Sequence, residues 1–269
     1  MLNKIFKKKN NIVIGAVHFP PLLGYDKFPG FKVAYTNALK DIKAFEKGGA
    51  DAIILENNYD IPHKVNVDCT ISASMTYLIS QLKKHTALPI GISVLWNDYK
   101  TALTIAKILD LKFIRVPVFV DKVKTDIGVV NGEAKKMIAF RKEIKAKKVK
   151  IFADIQVKHC ELLNKRPLAE AAREAIDKGA DALIVTGSWT GDAPDDAMVS
   201  DLRNDIKDFP ILIGSGTDET NVARLFKSAN GTIVSTSLKS GSAKTDEVNV
   251  KGYDQRIDLQ KVKKLLAKI

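Results

Sequence analysis

Two carboxylates, Glu56 and Asp154, are the side chains best placed for chemistry, because each follows an apolar run directly. A carboxylate at the end of such a run is costly to bury unless it has a partner. We predict that both are catalytic and exchange protons with a substrate. The alternative is a structural ion pair with Arg115 or with a lysine.

Basic groups accompany both carboxylates. Lys158 and His159 follow Asp154 closely, and His18 ends another apolar run. An amine and an imidazole beside a carboxylate suit proton transfer or Schiff-base chemistry, so we expect His18, Lys158 and His159 to assist catalysis. A lysine at such a position can instead clamp an anion, and a lone histidine is often structural. A divalent metal held by Glu56, Asp154 and His159 is a further hypothesis without a local ligand spacing to support it.

Three segments rich in glycine and hydroxyl groups, 186–191, 214–217 and 235–237, predict an anion site. Glycine lets a backbone approach a ligand closely, and helix N-termini offer unpaired N–H groups to a phosphate. The alternative is that these glycines only make tight turns. The predicted contacts to substrate or phosphate are Asn57, Asn97, Arg115, Thr186, Gly187, Thr190, Gly191, Gly214, Ser215, Gly216, Thr236 and Ser237.

Some of these side chains have competing local roles. Asp98, next to Asn97, is expected to cap the following helix. Arg115 lies inside an apolar run, so it needs a partner, which the sequence narrows to Glu56, Asp154 or a bound anion.

The elements that must position these residues repeat along the chain. Short apolar runs alternate with amphipathic segments about 31 residues apart, close to the length of a strand-helix unit. The runs are apolar throughout, which is typical of parallel strands buried on both faces. The predicted strands end near His18, Glu56, Leu95, Val116, Asp154, Thr186, Gly214 and Ser235.

Eight such units predict an α/β fold, a single (β/α)8 TIM barrel spanning residues 1–269 with a basic, frayed N-terminus at residues 1–10. The segment 47–54 resembles 178–184, four units further on, as two half-barrels would. A doubly wound open sheet is the alternative, but no GxGxxG opens the first helix. Barrel sites lie at the C-terminal strand ends, and the loops after strands seven and eight frequently hold a phosphate.

Composition restricts the classes of partner. The net charge is +12, yet 36 of the 43 basic residues are lysines, which argues against specific nucleic-acid recognition. We expect no integral membrane segment and a cytoplasmic location, because no apolar run is long enough to span a bilayer and no signal-peptide pattern opens the chain. Two cysteines cannot form a disulfide framework.

Seven blocks of sequence, taken together, resemble the BtpA/SgcQ family through nearly the whole chain. The resemblance implies a TIM barrel within the ribulose-phosphate-binding group, and it carries over no established catalytic residues. It also implies a link, for the photosynthetic namesake, to photosystem I biogenesis or stability. The blocks are residues 15–24, 55–57, 91–98, 113–116, 153–159, 185–191 and 214–217.

These patterns together predict an enzyme that acts on a small phosphorylated sugar-type metabolite. Acid/base isomerisation or epimerisation needs no dissociable cofactor, whereas a lyase would need Lys158 to form a Schiff base. The alternative is a non-catalytic assembly or stability factor that binds a protein partner. Self-association into a homo-oligomer is left open.

Overall fold

Eight parallel strands close into a barrel in the computed structural model, which describes residues 2–187, 189–242 and 249–269. Each strand pairs with the next along the chain, and the last pairs with the first. The predicted barrel is confirmed, and every strand ends within two residues of its predicted position. We number these strands β1 to β8: Ile12–His18, Ala52–Glu56, Ile90–Ser93, Phe113–Val116, Lys150–Asp154, Ala182–Val185, Ile211–Ile213 and Gly231–Val234.

Helices connect the strands and begin, in several cases, at an aspartate. Asp68, Asp98, Asp195 and Asp258 each accept backbone N–H groups at a helix N-terminus, which satisfies donors that have no partner within the helix. The predicted capping role of Asp98 is confirmed. The helices are α1 (Asn3–Phe6), α2 (Phe31–Gly48), α3 (Cys69–Leu82), α4 (Tyr99–Ile108), α5 (Ala134–Glu143), α6 (Leu168–Asp177), α7 (Asp196–Ile206), α8 (Val222–Leu225) and α9 (Leu259–Leu266).

The core has two layers because alternate strand residues point to opposite sides of the barrel wall. In β1, Ile12 and Ile14 point inward while Val13 and Val17 pack against the helices. Phe113 and Phe152 stack inside the barrel with ring centroids 4.5 Å apart. The interior is therefore filled with side chains below the strand ends.

The N-terminal segment differs from the prediction of a frayed terminus, which is wrong for the described residues. Leu2 and Phe6 are 3% and 6% exposed and join the core inside the barrel. The Phe6 ring lies 6.0 Å from Phe113 and 6.3 Å from Phe152. Leu2 and Phe6 are four residues apart, so one helical turn places both on the same face. The burial of this apolar pair was not predicted because the lysines around it give the segment a polar pattern.

An antiparallel sheet that the sequence did not predict lies beside the barrel mouth. It comprises Lys122–Thr125, Gly128–Asn131 and Glu161–Leu162. Val123 and Val130 of this sheet pack with Val157 and with Trp96. The sheet thus adds a wall to the C-terminal side of the barrel. In the described part of the chain, no helix is long and apolar enough to cross a membrane.

Candidate active site at the C-terminal mouth of the barrel

A cavity of about 730 Å³ opens at the C-terminal ends of the strands. All eight strands, or the loops that follow them, contribute to its lining. The predicted site residues that line it are His18, Glu56, Arg115, Lys158, His159, Thr190, Gly191, Gly214, Ser215, Gly216, Thr236 and Ser237.

The floor of this cavity is a buried ionic network centred on Arg115. Its Nε and Nη2 atoms donate to the two carboxylate oxygens of Asp154 at 2.9 and 2.8 Å, and Nη1 donates to Glu56 Oε1 at 3.3 Å. His18 Nε2 lies 3.5 Å from the other oxygen of Glu56. Parallel neighbours β1 and β2 place His18 directly beside Glu56. Strand register thus assembles the network, and Arg115 has the partners predicted from the sequence.

The environment sets the charge of each group on this floor. Burial favours a higher pKa for Glu56, but the hydrogen bond from His18 and the charge of Arg115 outweigh it and hold the pKa below its usual range. Burial also lowers the pKa of His18, so this imidazole is neutral near pH 7. Burial alone would lower the pKa of Arg115, but the carboxylate of Asp154, followed by that of Glu56, raises it. Glu56 is therefore ionised near pH 7 and lies at the cavity surface, where it can accept a proton, although its lowered pKa makes it a weaker base than a free glutamate.

Asp154 has a different position from the one predicted for a proton-transferring group. Its side chain is fully buried, and Arg115 lies between it and the cavity. A carboxylate without access to a ligand cannot exchange protons with it directly. The geometry thus favours a role for Asp154 in orienting Arg115.

Two predicted ligand contacts, Asn57 and Asn97, hold the loops together instead. The Asn57 amide bonds both the N–H and the C=O of Leu95, at 2.7 and 3.2 Å. The Asn97 amide does the same with Val118, at 2.9 and 3.0 Å. Both side chains are buried, and neither lines the cavity. The geometry therefore assigns these amides to loop positioning rather than to ligand contact.

Lys158 and His159 reach the cavity from the loop after β5. Burial, followed by the charge of Arg115, lowers the pKa of Lys158 to about 8. Its amine can therefore be either protonated or neutral near physiological pH. Burial lowers the pKa of His159 to about 4, and its Nε2 lies 2.7 Å from Thr190 Oγ1. We conclude that Lys158 is the more readily titrated of the two.

Residues of the loops after β7 and β8 line the cavity. Among the described residues, no acceptor is found for the N–H groups of Gly216, Thr217, Thr236 or Ser237. The Ser237 hydroxyl donates to the Thr217 carbonyl at 2.7 Å, which joins the two loops. Unpaired N–H groups on neighbouring loops are the usual donors to a bound phosphate.

The glycines of the predicted anion site serve packing as well as ligand access. A Cβ at Gly216 would lie 1.9 Å from the backbone nitrogen of Ala193, and one at Gly187 would lie 2.4 Å from the Asp192 carbonyl. The Gly187 N–H is bonded to Ser215 Oγ, and neither Thr186 nor Gly187 lines the cavity. The Gly187 backbone thus takes part in packing between loops, and its predicted contact with a ligand stays a prediction.

Sequence reasoning missed several cavity residues. Lys239 follows β8, donates to the Tyr59 hydroxyl at 2.9 Å, and has a pKa that burial lowers to about 8. The rule that sites lie after strands would have found it. His63, Trp96 and Asp126 also line the cavity. Asp126 had no signal, because it lies in the turn between two strands of the unpredicted sheet.

The metal hypothesis finds no matching geometry. Within residues 2–187, 189–242 and 249–269, no group of three or more His, Cys, Asp or Glu side chains is arranged to hold a metal ion. Glu56 and Asp154 are both bonded to Arg115, and His159 is bonded to Thr190. The three predicted ligands therefore have other partners.

Comparison with known proteins places the sequence in a family. A model of the BtpA family matches residues 9–268. The photosystem I biogenesis protein BtpA of Synechocystis sp. is 38% identical over 233 residues, which are 86% of this chain and 81% of that protein. An uncharacterized protein of Methanocaldococcus jannaschii is 34% identical over 91% of this chain and 93% of its own length.

Solved structures share the fold at low sequence identity. (S)-3-O-geranylgeranylglyceryl phosphate synthase of Thermoplasma acidophilum, in complex with its substrate sn-glycerol-1-phosphate, has a TM-score of 0.60 at 13% identity, covering 100% of this chain and 98% of its own. Phosphoribosyl anthranilate isomerase of Thermus thermophilus has a TM-score of 0.58 at 11% identity, covering 96% and 97%. At such identities these likenesses establish the barrel alone.

Proposed function

The chain belongs to the BtpA family, and from that premise we propose that it is an enzyme that moves a proton within a small phosphorylated sugar-type metabolite. The observation that carries the proposal is the ionised carboxylate of Glu56 on the cavity floor, held by Arg115 and His18. A carboxylate fixed in this way, open to a cavity and shielded below, has the position of a general base.

The anionic end of the metabolite would lie on the loops after β7 and β8. These loops supply N–H groups of Gly216, Thr217, Thr236 and Ser237 that have no acceptor among the described residues. Lys239 adds a cation on the same side of the mouth. Structural relatives that carry phosphate in their names or ligands, such as the glycerol-phosphate synthase, agree with this class of substrate.

The proposed reaction begins when Glu56 removes a proton from a carbon next to a carbonyl group. The electron pair moves to the carbonyl oxygen, which takes a proton from the Lys158 ammonium group. When Glu56 returns its proton to the former carbonyl carbon of an α-hydroxy carbonyl compound, and Lys158 takes back a proton from the hydroxyl group on the neighbouring carbon, the product is an isomer. When a second acid protonates the first carbon from the opposite face, and the enol hydroxyl gives its proton back to Lys158, the product is an epimer. Neutral His18 orients Glu56, and Asp154 orients Arg115. In a lyase, Lys158 would instead form a Schiff base in its neutral form.

A factor that binds a protein partner is the second candidate, and it rests on the name of the Synechocystis relative. The mouth of the cavity also exposes Ile61 and Trp189, at 53% and 39%. Exposed apolar groups of this kind can contact a protein as well as a small ligand.

A ligand screen tests the proposal. Thermal unfolding of the protein would be measured with inorganic phosphate, sugar phosphates, phosphoribosyl compounds and the matching unphosphorylated sugars. A ligand at 100 times its Kd stabilises the fold by about 2.7 kcal/mol, which is readily measured. Stabilisation by phosphorylated compounds alone is expected. If no phosphorylated compound stabilises the protein, the function is wrong and partner binding becomes the better account.

Proton transfer is then tested on the best ligand without knowledge of the product. In D2O, NMR would follow the exchange of carbon-bound hydrogen for deuterium. The Glu56→Gln variant should still be stabilised by the ligand but should lose exchange by about 100-fold or more. Glu143→Gln, at an exposed position, is the matched control and should behave as the wild type. Exchange that survives in E56Q would exclude Glu56 as the base.

A further inference from the structure

The cavity wall that faces the proposed anion site is apolar and aromatic. In a closed ring of eight strands, each strand lies opposite the strand four places further on, so β3 and β4 oppose β7 and β8. Trp96 follows β3 and Pro117 follows β4, and both line the cavity. The loop after β5 extends this wall with Val157 and Cys160. Two opposite walls of the cavity therefore have contrasting chemistry.

Both tryptophans of the chain line this one cavity. They are Trp96 and Trp189. Trp96 packs against the valine cluster of the added sheet, and its backbone N–H donates to the Lys64 carbonyl at 2.8 Å. Trp189 is 39% exposed and lies edge-on to His159, with ring centroids 4.3 Å apart. A partly exposed tryptophan held at the mouth of a cavity offers a surface on which a planar ring can stack.

Two imidazoles on this side of the cavity, those of His63 and His159, are uncharged near pH 7. Burial lowers the pKa of His63 to about 4, so its imidazole is neutral near pH 7. His159 is neutral for the same reason. Arg115, Lys158 and Asp126 are charged residues that line the cavity on this side. A bare sugar phosphate would leave this wall facing water, whereas a planar ring would cover it and displace that water.

The cavity is large enough for a ligand that carries a ring in addition to a phosphate group. Its volume of about 730 Å³ lies within the range of about 300–1,000 Å³ that is common for ligands of drug size. A small sugar phosphate bound at the β7 and β8 loops would fill only one side of it.

We propose that the substrate is a phosphate ester that carries an aromatic or heterocyclic ring. The phosphate lies on the loops after β7 and β8, and the ring stacks on Trp189, which follows β6, with its outer edge toward the apolar side chains after β3 and β4. This inference rests on the proposed function for the anionic end, and it adds the chemical class of the other end.

Matched probes test the two ends separately. We would use AMP and UMP, ribose 5-phosphate, and adenosine, and would measure affinity by calorimetry. Tryptophan fluorescence would be recorded in parallel, since both tryptophans report on this cavity. The nucleotides should bind at least about tenfold more tightly than ribose 5-phosphate, the gain expected for one stacked base. The nucleotides should also change the fluorescence, whereas ribose 5-phosphate should not.

Variants at Trp189 locate the ring. Trp189→Ala should weaken nucleotide binding about tenfold and leave ribose 5-phosphate binding unchanged. Trp189→Phe keeps a stacking surface and should restore most of the affinity. Tyr77→Ala removes a 52% exposed aromatic group outside the cavity, and it should bind nucleotides as the wild type does.

The outcomes separate this inference from the proposed function. If ribose 5-phosphate binds as tightly as the nucleotides, the ring proposal is wrong and the phosphate function survives. Equal binding of adenosine and AMP would support the ring wall but overturn the phosphate site. If none of the probes binds, both proposals fail.

Discussion

Arg115 holds two carboxylates at once, and the resulting charge balance decides which groups on the cavity floor can move protons. Both carboxylates bond to this one guanidinium group, and their negative charge exceeds its single positive charge when both are ionised, although burial raises the pKa of Asp154. The surplus negative charge favours the protonated form of nearby Lys158, while burial and Arg115 disfavour it. The opposing effects leave the Lys158 amine with a pKa of about 8, near the pH at which a proton donor is most useful.

The lowered pKa of Lys158 indicates that this buried amine destabilises the folded protein while it serves the proposed function. Burial lowers this pKa from 10.5 to about 8 in the folded protein. Below pH 8 the folded state carries the full cost of a charged buried amine. Between about pH 8 and 10.5 the unfolded chain binds more protons, so the cost fades as pH rises. Lys158→Met should therefore raise the free energy of unfolding by about 2 kcal/mol at pH 7, and by less at pH 10.

Denaturant unfolding of K158M at several pH values checks this prediction. Lys147→Met, at an exposed surface lysine, is the control and should show no such pH-dependent gain. The same K158M variant should lose proton exchange on the bound ligand. If K158M gains less free energy of unfolding over the wild type at pH 7 than at pH 10, the assigned environment of Lys158 is wrong.

For single residues, the sequence predicted which side chains lie near the site more accurately than it predicted what each side chain does. The demand that a charge inside a strand be paired predicted the partners of Arg115. Nothing in the sequence near Asn57 or Asn97 shows that each amide bonds the backbone of another loop. Such contacts depend on the loop paths, which strand periodicity does not determine.

At the scale of elements, the loops after β6, β7 and β8 form one packed unit. Ser215 Oγ accepts the Gly187 N–H at 3.0 Å and donates to the Asp192 carbonyl at 2.8 Å, so it joins the β6 and β7 loops. Gly216 lies against Ala193 in the same contact. The positions of the proposed phosphate donors thus depend on contacts between loops.

Two glycines of these loops provide a matched test. Both have a positive φ, 69° at Gly216 and 95° at Gly191, but only Gly216 has backbone atoms where a Cβ would lie. Gly191→Ala should cost about 1 kcal/mol through backbone strain and keep phosphate-ester binding. Gly216→Ala should displace the loop and lose most of that binding. Thermal unfolding with and without ligand checks both, and equal behaviour of the two variants would contradict the packed-loop account.

Regular elements were predictable because their signals are local. Each barrel strand is a short apolar run, and its end could be placed within two residues. The added sheet was missed because two of its strands interrupt the interval between β4 and β5 with a mixed pattern of lysine and valine, and its third strand, after β5, has only two residues. Helix α1 was missed because it is one turn long and its few apolar residues stand among lysines.

At the scale of the whole molecule, the barrel is closed at one end and open at the other. Leu2 and Phe6 plug the N-terminal end, and the cavity occupies the C-terminal end. Among the described lining residues, four cations face three carboxylates: Arg115, Lys158, Lys239 and Lys251 against Glu56, Asp126 and Asp218. Together with the net charge of +12, this balance favours the approach of an anion to the open end.

The most direct test of the account is calorimetric titration of the best phosphate ester into three proteins: wild type, Thr236→Asp and Thr236→Asn. Thr236 lines the cavity, and its N–H has no acceptor among the described residues. Asparagine and aspartate have nearly the same shape, so the two variants differ mainly in charge. We expect T236N to bind the ester with an affinity within a few-fold of that of the wild type. We expect T236D to bind it at least about tenfold more weakly, because the aspartate and the phosphate repel each other. If T236D binds the ester as tightly as T236N, the phosphate does not lie on the β7 and β8 loops.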